Sequence, residues 1–363
     1  MVREMSVAEL ASRLGTEDEP VVVDVREPDE FTAWSIPGAL NVPLAELIAR
    51  MPTLPLDREL VTVCRSGNRS TRAAVTLANS ARQVANLTGG MLAWALVYDS
   101  ALVDLGDVQV LQVRRRGKGC LSYLVVAGDQ AFVVDPSADI EVYVRLAQEH
   151  GWRIMSVFDT HLHADHLSGA RSLAAATGAS LHLNPADTFD FDYEPLRDSD
   201  RFELSGTGAM EVVALGTPGH TNGSTMYLVA DRALLSGDTI FIESVGRPDL
   251  ADRAQEFARK LYASLRDRVL GLPDDTLVLP AHYGDAVTVR PGSPVAATLG
   301  DLRRRLAPLS FDEATFVAWA TQRAAPRPPN YDEIIKANMG RPTAALTELR
   351  QLELGPNRCA VSA

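Results

Sequence analysis

The chain has 363 residues, of which 46% are apolar, and a formal net charge of −12. This length is enough for two ordinary domains, and an acidic chain with only short basic runs is a poor candidate for binding nucleic acid. No apolar stretch is long enough to span a membrane, and the N-terminus lacks the apolar core of a signal peptide. Three unevenly spaced cysteines predict no disulfide framework, so a reducing cytoplasm is the expected location.

Short apolar runs alternate with helix-like segments over residues 1–98. The runs at 21–25 and 60–63 are typical of buried strands, and the segment at 70–81 has helical spacing. Such alternation predicts an α/β domain with a mostly parallel sheet. Residues 99–107 carry no strong pattern and are predicted to be a linker.

A second domain is predicted over residues 108–355, followed by a tail at 356–363. Apolar strands joined by tight turns dominate its first part, and its later part is mostly helical. The segment 254–270 repeats apolar residues every four positions, which predicts one buried helical face. Two arginine triplets, at 114–116 and 303–305, are predicted to lie on the solvated surface.

A cysteine loop follows the second apolar strand of the first domain, reads CRSGNRS over residues 64–70, and leads into a helix. Gly67 and Asn68 tolerate positive φ, so successive backbone N–H groups can turn inward and form an anion nest. Because the helix terminus and two arginines add positive charge, Cys64 is predicted to be a catalytic nucleophile with a lowered pKa. The alternative is a buried cysteine that merely ends a strand. The predicted anion loop comprises Arg65, Ser66, Gly67, Asn68 and Arg69.

Four separated motifs of this domain resemble those of the rhodanese, or single-domain sulfurtransferase, family. They are VVVDVREPDEF (21–31), IPGALNVP (36–43), the cysteine loop and GGMLAW (89–94). The resemblance implies a three-layer α/β/α fold and a cysteine that carries sulfane sulfur as a persulfide, a role that falls on Cys64. The Cys-x4-Arg length of the loop is the one found in sulfur transfer in that family.

Seven histidines and aspartates of the second domain form an ordered series, mostly at the ends of predicted strands. The series comprises His161, His163, Asp165 and His166 in THLHADH, His220 in TPGHTNGS, Asp238 in LLSGDTIF and His282 in LVLPAHYGD. Neutral imidazole and carboxylate suit zinc, iron or manganese, so the series predicts a metal centre. The alternative is a set of polar turn residues satisfied by hydrogen bonds. The spacing alone fits one metal or two.

This series resembles the metallo-β-lactamase superfamily over about residues 108–290, and more narrowly its glyoxalase-II-like branch. The resemblance implies an αββα sandwich. Persulfide dioxygenases of that branch hold one non-haem Fe(II), which implies His161, His220 and Asp238 as its ligands here. The other members of the series would then orient ligands and water: His163, Asp165, His166 and His282. In glyoxalase II the whole series holds two metals for thioester hydrolysis, which remains the alternative, with zinc, iron or manganese.

Two further segments resemble persulfide dioxygenases. ESVGRPDLAD (243–252) resembles a Gly-Arg-x-Asp segment that follows the metal aspartate in those enzymes, and RPPNYDEIIKANMG (327–340) resembles the tails of bacterial relatives. Arg247, Asp249 and Tyr283 are therefore expected to face the substrate or to have a structural role. The segment PAHYGD departs from the Asp-Tyr that often follows this histidine. Of the remaining cysteines, Cys120 is expected in the core and Cys359 is expected to be an incidental tail thiol rather than a sulfur relay.

The two resemblances together imply an enzyme of sulfur metabolism. The first domain would move sulfane sulfur between thiosulfate and a low-molecular-weight thiol, and the second would oxidise the thiol persulfide to sulfite and free thiol. The expected partners are a thiol persulfide such as glutathione persulfide, thiosulfate or sulfite, and O2, without nucleic acid or membrane; a homo-oligomer is compatible with the sequence. The alternatives are a dinuclear thioester hydrolase fused to a sulfurtransferase, and a non-catalytic sulfur carrier or binding module.

Overall fold

The computed structural model describes residues 2–80, 82–204, 210–248, 253–284, 286–323 and 330–355. Two residues singled out from the sequence, Asp249 and Cys359, lie outside these ranges. Within the described ranges, none of the helices has both the length and the apolar character that crossing a membrane requires.

The N-terminal domain is a parallel five-stranded sheet with helices on both faces. Its strands are β1 (Arg3–Met5), β2 (Val21–Asp24), β3 (Leu40–Asn41), β4 (Leu60–Val63) and β5 (Val84–Leu87). Its helices are α1 (Val7–Arg13), α2 (Pro28–Ala33), α3 (Leu47–Arg50), α4 (Asn68–Ala78) and α5 (Gly90–Trp94). The strand order is β1-β5-β4-β2-β3, so the loop after β4 leaves the middle of the sheet at its carboxyl end, where ligands of such sheets bind.

Two apolar clusters fill the space between this sheet and its helices. Leu10 of α1 and Trp94 of α5 pack in one cluster, and Leu47 of α3 and Leu77 of α4 pack in the other. The helices therefore lie on opposite faces, and the predicted three-layer α/β/α fold is confirmed.

The segment predicted to be a linker contains a strand. β6 (Tyr98–Asp104) pairs antiparallel with β7 (Gln109–Arg115) along its whole length. Only Ala101 and Val103 of β6 are buried, and Leu102 between them is exposed. An edge strand with a single buried face carries a short alternating pattern, which is why the apolar signal at 99–107 is weak. The sheet of the second domain thus begins at Tyr98 rather than at residue 108.

The larger sheet of the second domain has seven strands in the order β12-β11-β10-β9-β8-β7-β6. The remaining strands are β8 (Cys120–Ala127), β9 (Gln130–Val134), β10 (Arg153–Phe158), β11 (Ser180–Leu183) and β12 (Glu194–Pro195). Two helices, α6 (Glu141–His150) and α7 (Ala170–Thr177), pack against its outer face through an apolar cluster that includes Tyr143 and Leu173.

The smaller sheet has six strands in the order β13-β14-β15-β16-β17-β18. They are β13 (Arg201–Leu204), β14 (Met210–Gly216), β15 (Thr225–Val229), β16 (Ala233–Gly237), β17 (Leu277–Pro280) and β18 (Ala297–Thr298). Its outer helices are α8 (Ala254–Ser264), α9 (Leu299–Arg305) and α10 (Glu313–Gln322). A common core that includes Tyr123 and Phe158 of one sheet and Tyr227 of the other joins the two sheets, which confirms the predicted αββα sandwich.

The apolar face predicted over residues 254–270 is confirmed. Its four residues, Phe257, Leu261, Leu265 and Val269, are all buried against the smaller sheet. The regular helix α8 ends at Ser264, and a π-helical turn continues the same face to Val269.

Two short helices follow α10 in the described part of the chain. They are α11 (Tyr331–Asn338) and α12 (Leu346–Leu352). Both pack on the segment that leaves β10, where Ala164 contacts Tyr331, and Leu167 shares an apolar cluster with Ile334 and Leu349.

The arginine triplet at 114–116 is buried, so its predicted place on the solvated surface is wrong. Arg114 and Arg116 share the carboxylate of Asp99, at 2.6 and 2.8 Å, and Arg115 pairs with Glu353 at 2.7 Å. Carboxylates contributed by distant parts of the chain compensate the buried charge, and a local charge pattern cannot indicate them. In the other triplet, Arg304 and Arg305 are exposed, as predicted.

The buried triplet lies where the two domains meet. Arg116 donates to the carbonyl of Ala11 in α1 at 3.4 Å, and Arg115 donates to the carbonyl of Ala95 at 2.9 Å. In the turn that follows β7, the carbonyl of Gly117 accepts a hydrogen bond of 2.9 Å from the indole of Trp34. The end of β7 and the turn that follows it therefore contact α1 and the residues that follow α2 and α5.

Candidate metal centre and cysteine loop

The predicted histidine and aspartate series comes together in the second domain, and each member is buried. His161 follows β10, His220 follows β14, Asp238 follows β16 and His282 follows β17. The remaining members lie on the loop between β10 and α7 with His161: His163, Asp165 and His166. Loop residues at strand ends are held by a rigid scaffold, which suits a site that needs fixed geometry.

Three of these side chains form one group of potential metal ligands. The ligand atoms of His161, His220 and Asp238 lie within 4.8 Å of one another. Asp238 Oδ2 is 3.4 Å from His220 Nε2 and 3.8 Å from His161 Nε2. Its other oxygen, Oδ1, is 2.6 Å from His282 Nδ1, so Oδ2 is left to face the two imidazoles.

Hydrogen bonds fix the tautomers of both imidazoles. His220 Nδ1 lies 2.9 Å from the carbonyl oxygen of Arg247, and a carbonyl only accepts, so Nδ1 carries the proton. The Thr160 hydroxyl donates to Asp135 at 3.0 Å, and its oxygen therefore accepts from His161 Nδ1 at 2.9 Å. Both Nε2 atoms present a lone pair toward Asp238.

These three atoms fit a bound cation. His161 Nε2, His220 Nε2 and Asp238 Oδ2 are buried, and none has a hydrogen-bond partner among the described residues. Three acceptors that converge away from water are costly unless a cation lies between them. Burial lowers the pKa of both imidazoles and keeps them neutral, as metal binding requires. Burial opposes ionisation of Asp238, but His282 holds the pKa of its carboxyl below the usual range.

A second group surrounds Cys120, which is buried as expected of a core residue. Its sulfur lies 3.9 Å from Asp165 Oδ2, and the ligand atoms of Cys120, Asp165, His166 and His282 lie within 4.8 Å of one another. Asp165 Oδ1 is 3.1 Å from His166 Nδ1, and its Oδ2 is 3.0 Å from His282 Nε2, although the latter two atoms are not aligned as a hydrogen bond.

Within this second group, the carboxylate and the two imidazoles stabilise each other's charged forms. Burial opposes ionisation of Asp165, but His282 and His166 hold the pKa of its carboxyl well below the usual range. Burial likewise opposes charge on the two imidazoles, and Asp165 raises the pKa of both. These contacts favour charged imidazoles beside Asp165. After loss of a proton from each imidazole, the same donor atoms could instead hold a second cation.

His163 has a different set of partners. Its Nε2 lies 3.1 Å from Asp135 Oδ1 and 3.8 Å from Asp159 Oδ1, whereas its Nδ1 has no partner among the described residues. Asp135 also accepts the backbone N–H of Thr160 at 2.6 Å, and it has a φ of 54°, which is strained for a residue other than glycine. Asp135 and Thr160 were not predicted as site residues. Asp135 follows β9, and Thr160 is the first residue of the THLHADH segment after β10.

The three residues expected to face the substrate or to have a structural role differ in their surroundings. Arg247 is buried, and its backbone carbonyl orients His220. The hydroxyl of Tyr283 is buried without a hydrogen-bond partner in the described part of the chain, and burial raises the pKa of that hydroxyl. Asp249 lies outside the described residues.

In the first domain, the cysteine loop surrounds the buried sulfur of Cys64 with N–H donors. The backbone N–H groups of Gly67 and Ser70 point at the sulfur, at 3.2 and 3.4 Å. Gly67 has a φ of 106° and caps α4, so the positive end of this helix faces the sulfur. Burial opposes the thiolate, but hydrogen bonds from Ser70, Ser66 and Gly67 lower the pKa of Cys64. The loop therefore has the geometry of an anion nest.

The two arginines of the loop differ in their surroundings. Arg69 forms a two-pronged ion pair with Glu30, with N–O distances of 2.7 and 2.8 Å, and this pairing raises the pKa of the guanidinium. Arg65 is exposed and forms no ion pair within the described ranges. Gly67 and Asn68 were both predicted to tolerate positive φ. Asn68 is instead the first residue of helix α4, and within the loop only Gly67 has a positive φ.

Glu30 and Ser70 act on this site although neither was predicted to do so. Glu30 belongs to the VVVDVREPDEF segment, and Ser70 ends the CRSGNRS segment. The hydroxyl of Ser70 donates a hydrogen bond of 2.7 Å to Asn86 Oδ1, and this bond holds the start of α4 against β5. The signal for Ser70 was its place in the first turn of a helix, where backbone N–H groups have no partner within the helix.

Helix α5 closes the other side of the loop. Met91 N–H donates to the carbonyl of Cys64 at 2.9 Å, and Leu92 N–H donates to that of Arg65 at 3.0 Å. Gly90 has a φ of 58°, and a Cβ atom at this position would collide with the Cys64 carbonyl. This close approach explains the second glycine of the GGMLAW motif.

Cys64 is expected to react with iodoacetamide as a thiol whose pKa lies below ~8.5, the value of a free cysteine. The donors around its sulfur stabilise the thiolate, so the alkylated fraction should rise at lower pH than in the unfolded chain. Peptide-level mass spectrometry over a pH series separates Cys64 from the other two cysteines. If the pH midpoint of Cys64 alkylation lies at or above that of the unfolded control, the loop does not stabilise the thiolate.

Comparison with known proteins finds a family match for each of the two domains. The family model of the metallo-beta-lactamase superfamily matches residues 115–282, and that of the rhodanese-like domain matches residues 6–96. The mitochondrial persulfide dioxygenase ETHE1 of Homo sapiens is 30% identical over 215 residues, which cover 58% of this chain and 78% of that protein. A hydroxyacylglutathione hydrolase of Dechloromonas aromatica is 33% identical over 168 residues, which cover 46% of this chain and 59% of that protein.

A solved structure agrees with these matches. The crystal structure of ETHE1 from Myxococcus xanthus covers 63% of this chain and 97% of its own, with 26% identity and a TM-score of 0.56. The fold, the convergent histidines and aspartates, and these similarities lead to one conclusion. The chain belongs to the metallo-beta-lactamase superfamily and carries a rhodanese-like domain on the N-terminal side of its metallo-beta-lactamase domain.

Proposed function

We propose that the metallo-beta-lactamase domain is a persulfide dioxygenase and that the rhodanese-like domain is a thiosulfate sulfurtransferase. One observation carries the first part: two imidazole nitrogens and one carboxylate oxygen converge, buried and unpaired, in a chain similar to persulfide dioxygenases. The reaction is RSSH + O2 + H2O → RSH + H2SO3, in which the terminal sulfur is oxidised and O2 is reduced.

His161, His220 and Asp238 would hold one Fe(II) ion. Two histidines and one carboxylate are a ligand set that suits non-haem Fe(II), and iron held there would supply the redox chemistry for oxidation of a persulfide by O2. Thr160 and the carbonyl of Arg247 keep the imidazoles in the tautomers that bind metal. Burial of all three side chains keeps bulk water from competing for this site.

The charged network beside this group would orient the metal ligands. His282 bonds Asp238 Oδ1 and also faces Asp165, so it fixes the carboxylate that faces the imidazoles. Such outer partners orient ligands and tune their basicity. We assign the same orienting role to the other members of this network, His163, Asp165 and His166.

In the first domain, Cys64 would attack the outer sulfur of thiosulfate. The step is Cys–S⁻ + S2O3²⁻ → Cys–S–S⁻ + SO3²⁻, so one S–S bond forms as another breaks and sulfite leaves. A thiol then takes the outer sulfur: Cys–S–S⁻ + RSH → Cys–S⁻ + RSSH. The N–H groups of Gly67 and Ser70 stabilise the anion at each stage, because their hydrogen bonds favour negative charge at the sulfur.

The product of the second transfer step is the substrate of the dioxygenase. We therefore propose that the two domains act in sequence on a diffusible persulfide, glutathione persulfide being the first one to test. We also propose a reducing compartment such as the cytoplasm, because the role proposed for Cys64 requires a free thiol.

A dinuclear thioester hydrolase is the second candidate for the metal domain. The group of Cys120, Asp165, His166 and His282 offers donors for a further cation, and the similarity to a hydroxyacylglutathione hydrolase favours the same reading. One assay separates the candidates. Purified protein is given glutathione persulfide with an O2 electrode, and S-lactoylglutathione in a parallel reaction. We expect one sulfite formed for each O2 consumed and no thioester hydrolysis, whereas the reverse result would establish the hydrolase.

Arg69→Ala is expected to raise the KM for thiosulfate about tenfold or more, as loss of a charge-assisted contact of 1.5–3 kcal/mol implies. Arg69 supplies a fixed positive charge next to the nest, whereas its partly exposed ion pair with Glu30 contributes no more than about 1 kcal/mol to the free energy of unfolding. The measurements are steady-state sulfurtransfer and urea unfolding. Arg72→Ala, an exposed arginine of α4, is the matched control. An unchanged KM would remove Arg69 from the thiosulfate site.

A further inference from the structure

The C-terminal helices α11 and α12 lie on the loop that carries His161, His163 and His166. Ala164 and Leu167 of this loop pack on Tyr331 and Ile334 of α11, and Leu349 of α12 packs in the same cluster as Leu167. These helices follow residue 282, where the match to the superfamily model ends. The proposed function gives them no role.

Asn338, the last residue of α11, holds the backbone of this loop at three points. Its Oδ1 accepts the N–H of Ser168 at 2.9 Å. Its Nδ2 donates to the carbonyl of His163 at 2.9 Å and to that of His166 at 2.8 Å. The amide thus uses both its acceptor and its donors on main-chain groups next to the histidines.

Glu353, which follows α12, holds Leu167, the residue between His166 and Ser168. Its Oε2 accepts the N–H of Leu167 at 2.7 Å, and its Oε1 pairs with Arg115 at 2.7 Å. Both side chains of this ion pair are about 97% buried or more, with exposed fractions of 3% and 2%. Arg115 also donates to the carbonyl of Ala95, the residue after α5. Glu353 therefore connects the metal loop to the helix that closes the cysteine loop.

These contacts fix a segment that has little regular structure of its own. Residues 163–168 lie between β10 and α7, and Asn338 and Glu353 together take up two successive N–H groups and two carbonyls of this segment. A loop whose main-chain groups are paired with rigid neighbours opens less often than one whose groups face water. The directions of the histidine side chains depend on that backbone.

We propose that Asn338 and Glu353, here called the C-terminal clamp, are positioning residues for the metal centre. They hold the backbone of the histidine loop so that its side chains point at the metal and at their charged partners. The proposal rests on the proposed metal centre, but it concerns metal retention and loop opening rather than the reaction that the metal performs.

Amide hydrogen exchange of the purified full-length protein tests the clamp without reference to activity. Asn338→Ala should raise the exchange rates of the Leu167 and Ser168 amides about tenfold or more, because Ser168 loses its acceptor and the loop loses two further hydrogen bonds. Asn338→Asp keeps an acceptor but no donor, so it should not restore the slow exchange. Lys336→Ala, an exposed substitution in the same helix, should leave these rates unchanged.

Metal release gives an independent readout. Iron-loaded wild type and variants are mixed with excess chelator, and release is followed by absorbance. Loss of an outer partner commonly weakens metal binding about 10- to 100-fold, so Asn338→Ala should release iron faster by a factor in that range. Glu353→Gln should act in the same direction, with Glu348→Gln, an exposed residue of α12, as its control. Thermal unfolding of each variant identifies any that fail to fold.

Two outcomes distinguish the failure of this inference from that of the proposed function. If wild type and Asn338→Ala show equal amide exchange and equal iron release, the clamp is wrong whatever the enzyme does. If the variants open and lose metal faster while wild-type protein consumes no O2 with persulfide, the clamp stands and the proposed function is wrong.

Discussion

His161→Ala is expected to release the metal and to lower O2 uptake on glutathione persulfide more than about 100-fold, because loss of an outer partner alone already costs up to that much. His161 Nε2 is one of three converging buried atoms that lack a hydrogen-bond partner among the described residues. The variant leaves His220 and Asp238, and two donors do not hold Fe(II) against water and buffer. The affected step is metal retention, and no other residue on the loop replaces the missing nitrogen.

The measurement combines iron content with O2 uptake for the same preparation. His150→Ala is the matched control, since His150 is exposed at the end of α6 and stacks on Trp152 at 4.3 Å. Sulfurtransfer from thiosulfate by the His161→Ala variant should equal that of wild type, because Cys64 lies in the other domain. If the variant retains its iron and O2 uptake, His161 is not a ligand.

Cys64→Ser is expected to abolish thiosulfate sulfurtransfer and to leave O2 uptake on supplied persulfide within about twofold, a change of roughly 0.4 kcal/mol in activation free energy. Serine keeps the shape of the side chain, but its hydroxyl forms no persulfide. The donors at Gly67 and Ser70 then surround a group that cannot carry sulfur. The metal group is built wholly from the second domain, so its geometry does not depend on this side chain.

A coupled assay places the two activities in order. Given thiosulfate and glutathione, wild type should consume O2, and Cys64→Ser should not. If the folded, iron-loaded variant loses O2 uptake on supplied persulfide as well, Cys64 passes sulfur to the metal domain directly. If the variant still consumes O2 with thiosulfate, the sulfurtransferase does not act upstream of the dioxygenase.

Local patterns predicted much of the architecture and a set of polar residues that the structure brings together. Alternating strands and helices predicted the parallel α/β sheet, whereas the family resemblance implied its three layers. The i+4 spacing of Phe257, Leu261 and Leu265 predicted the buried face of α8. The histidine and aspartate series was recognisable because its members lie at predicted strand ends or on the loop that follows one. The structure brings these residues together, although their roles as ligands stay predictions.

Residues that act through distant partners could not be found in this way. Asp135 fixes Thr160 and His163, and Glu30 pairs with Arg69, but each is an ordinary carboxylate in its own segment. Arginine triplets are usually solvated, and the burial of 114–116 depends on carboxylates from elsewhere in the chain. Edge strand β6 was missed because only one of its faces is buried.

The most direct test of the central claim is an anaerobic titration of metal-free protein with Fe(II), followed by O2 uptake on glutathione persulfide after each addition. Two histidines and one carboxylate are typical ligands of mononuclear iron, and His161, His220 and Asp238 form one such set. We therefore expect O2 uptake to rise in proportion to added iron and to reach its maximum at about one equivalent per chain. Activity that requires two equivalents, or that appears only as thioester hydrolysis with zinc, would contradict the account.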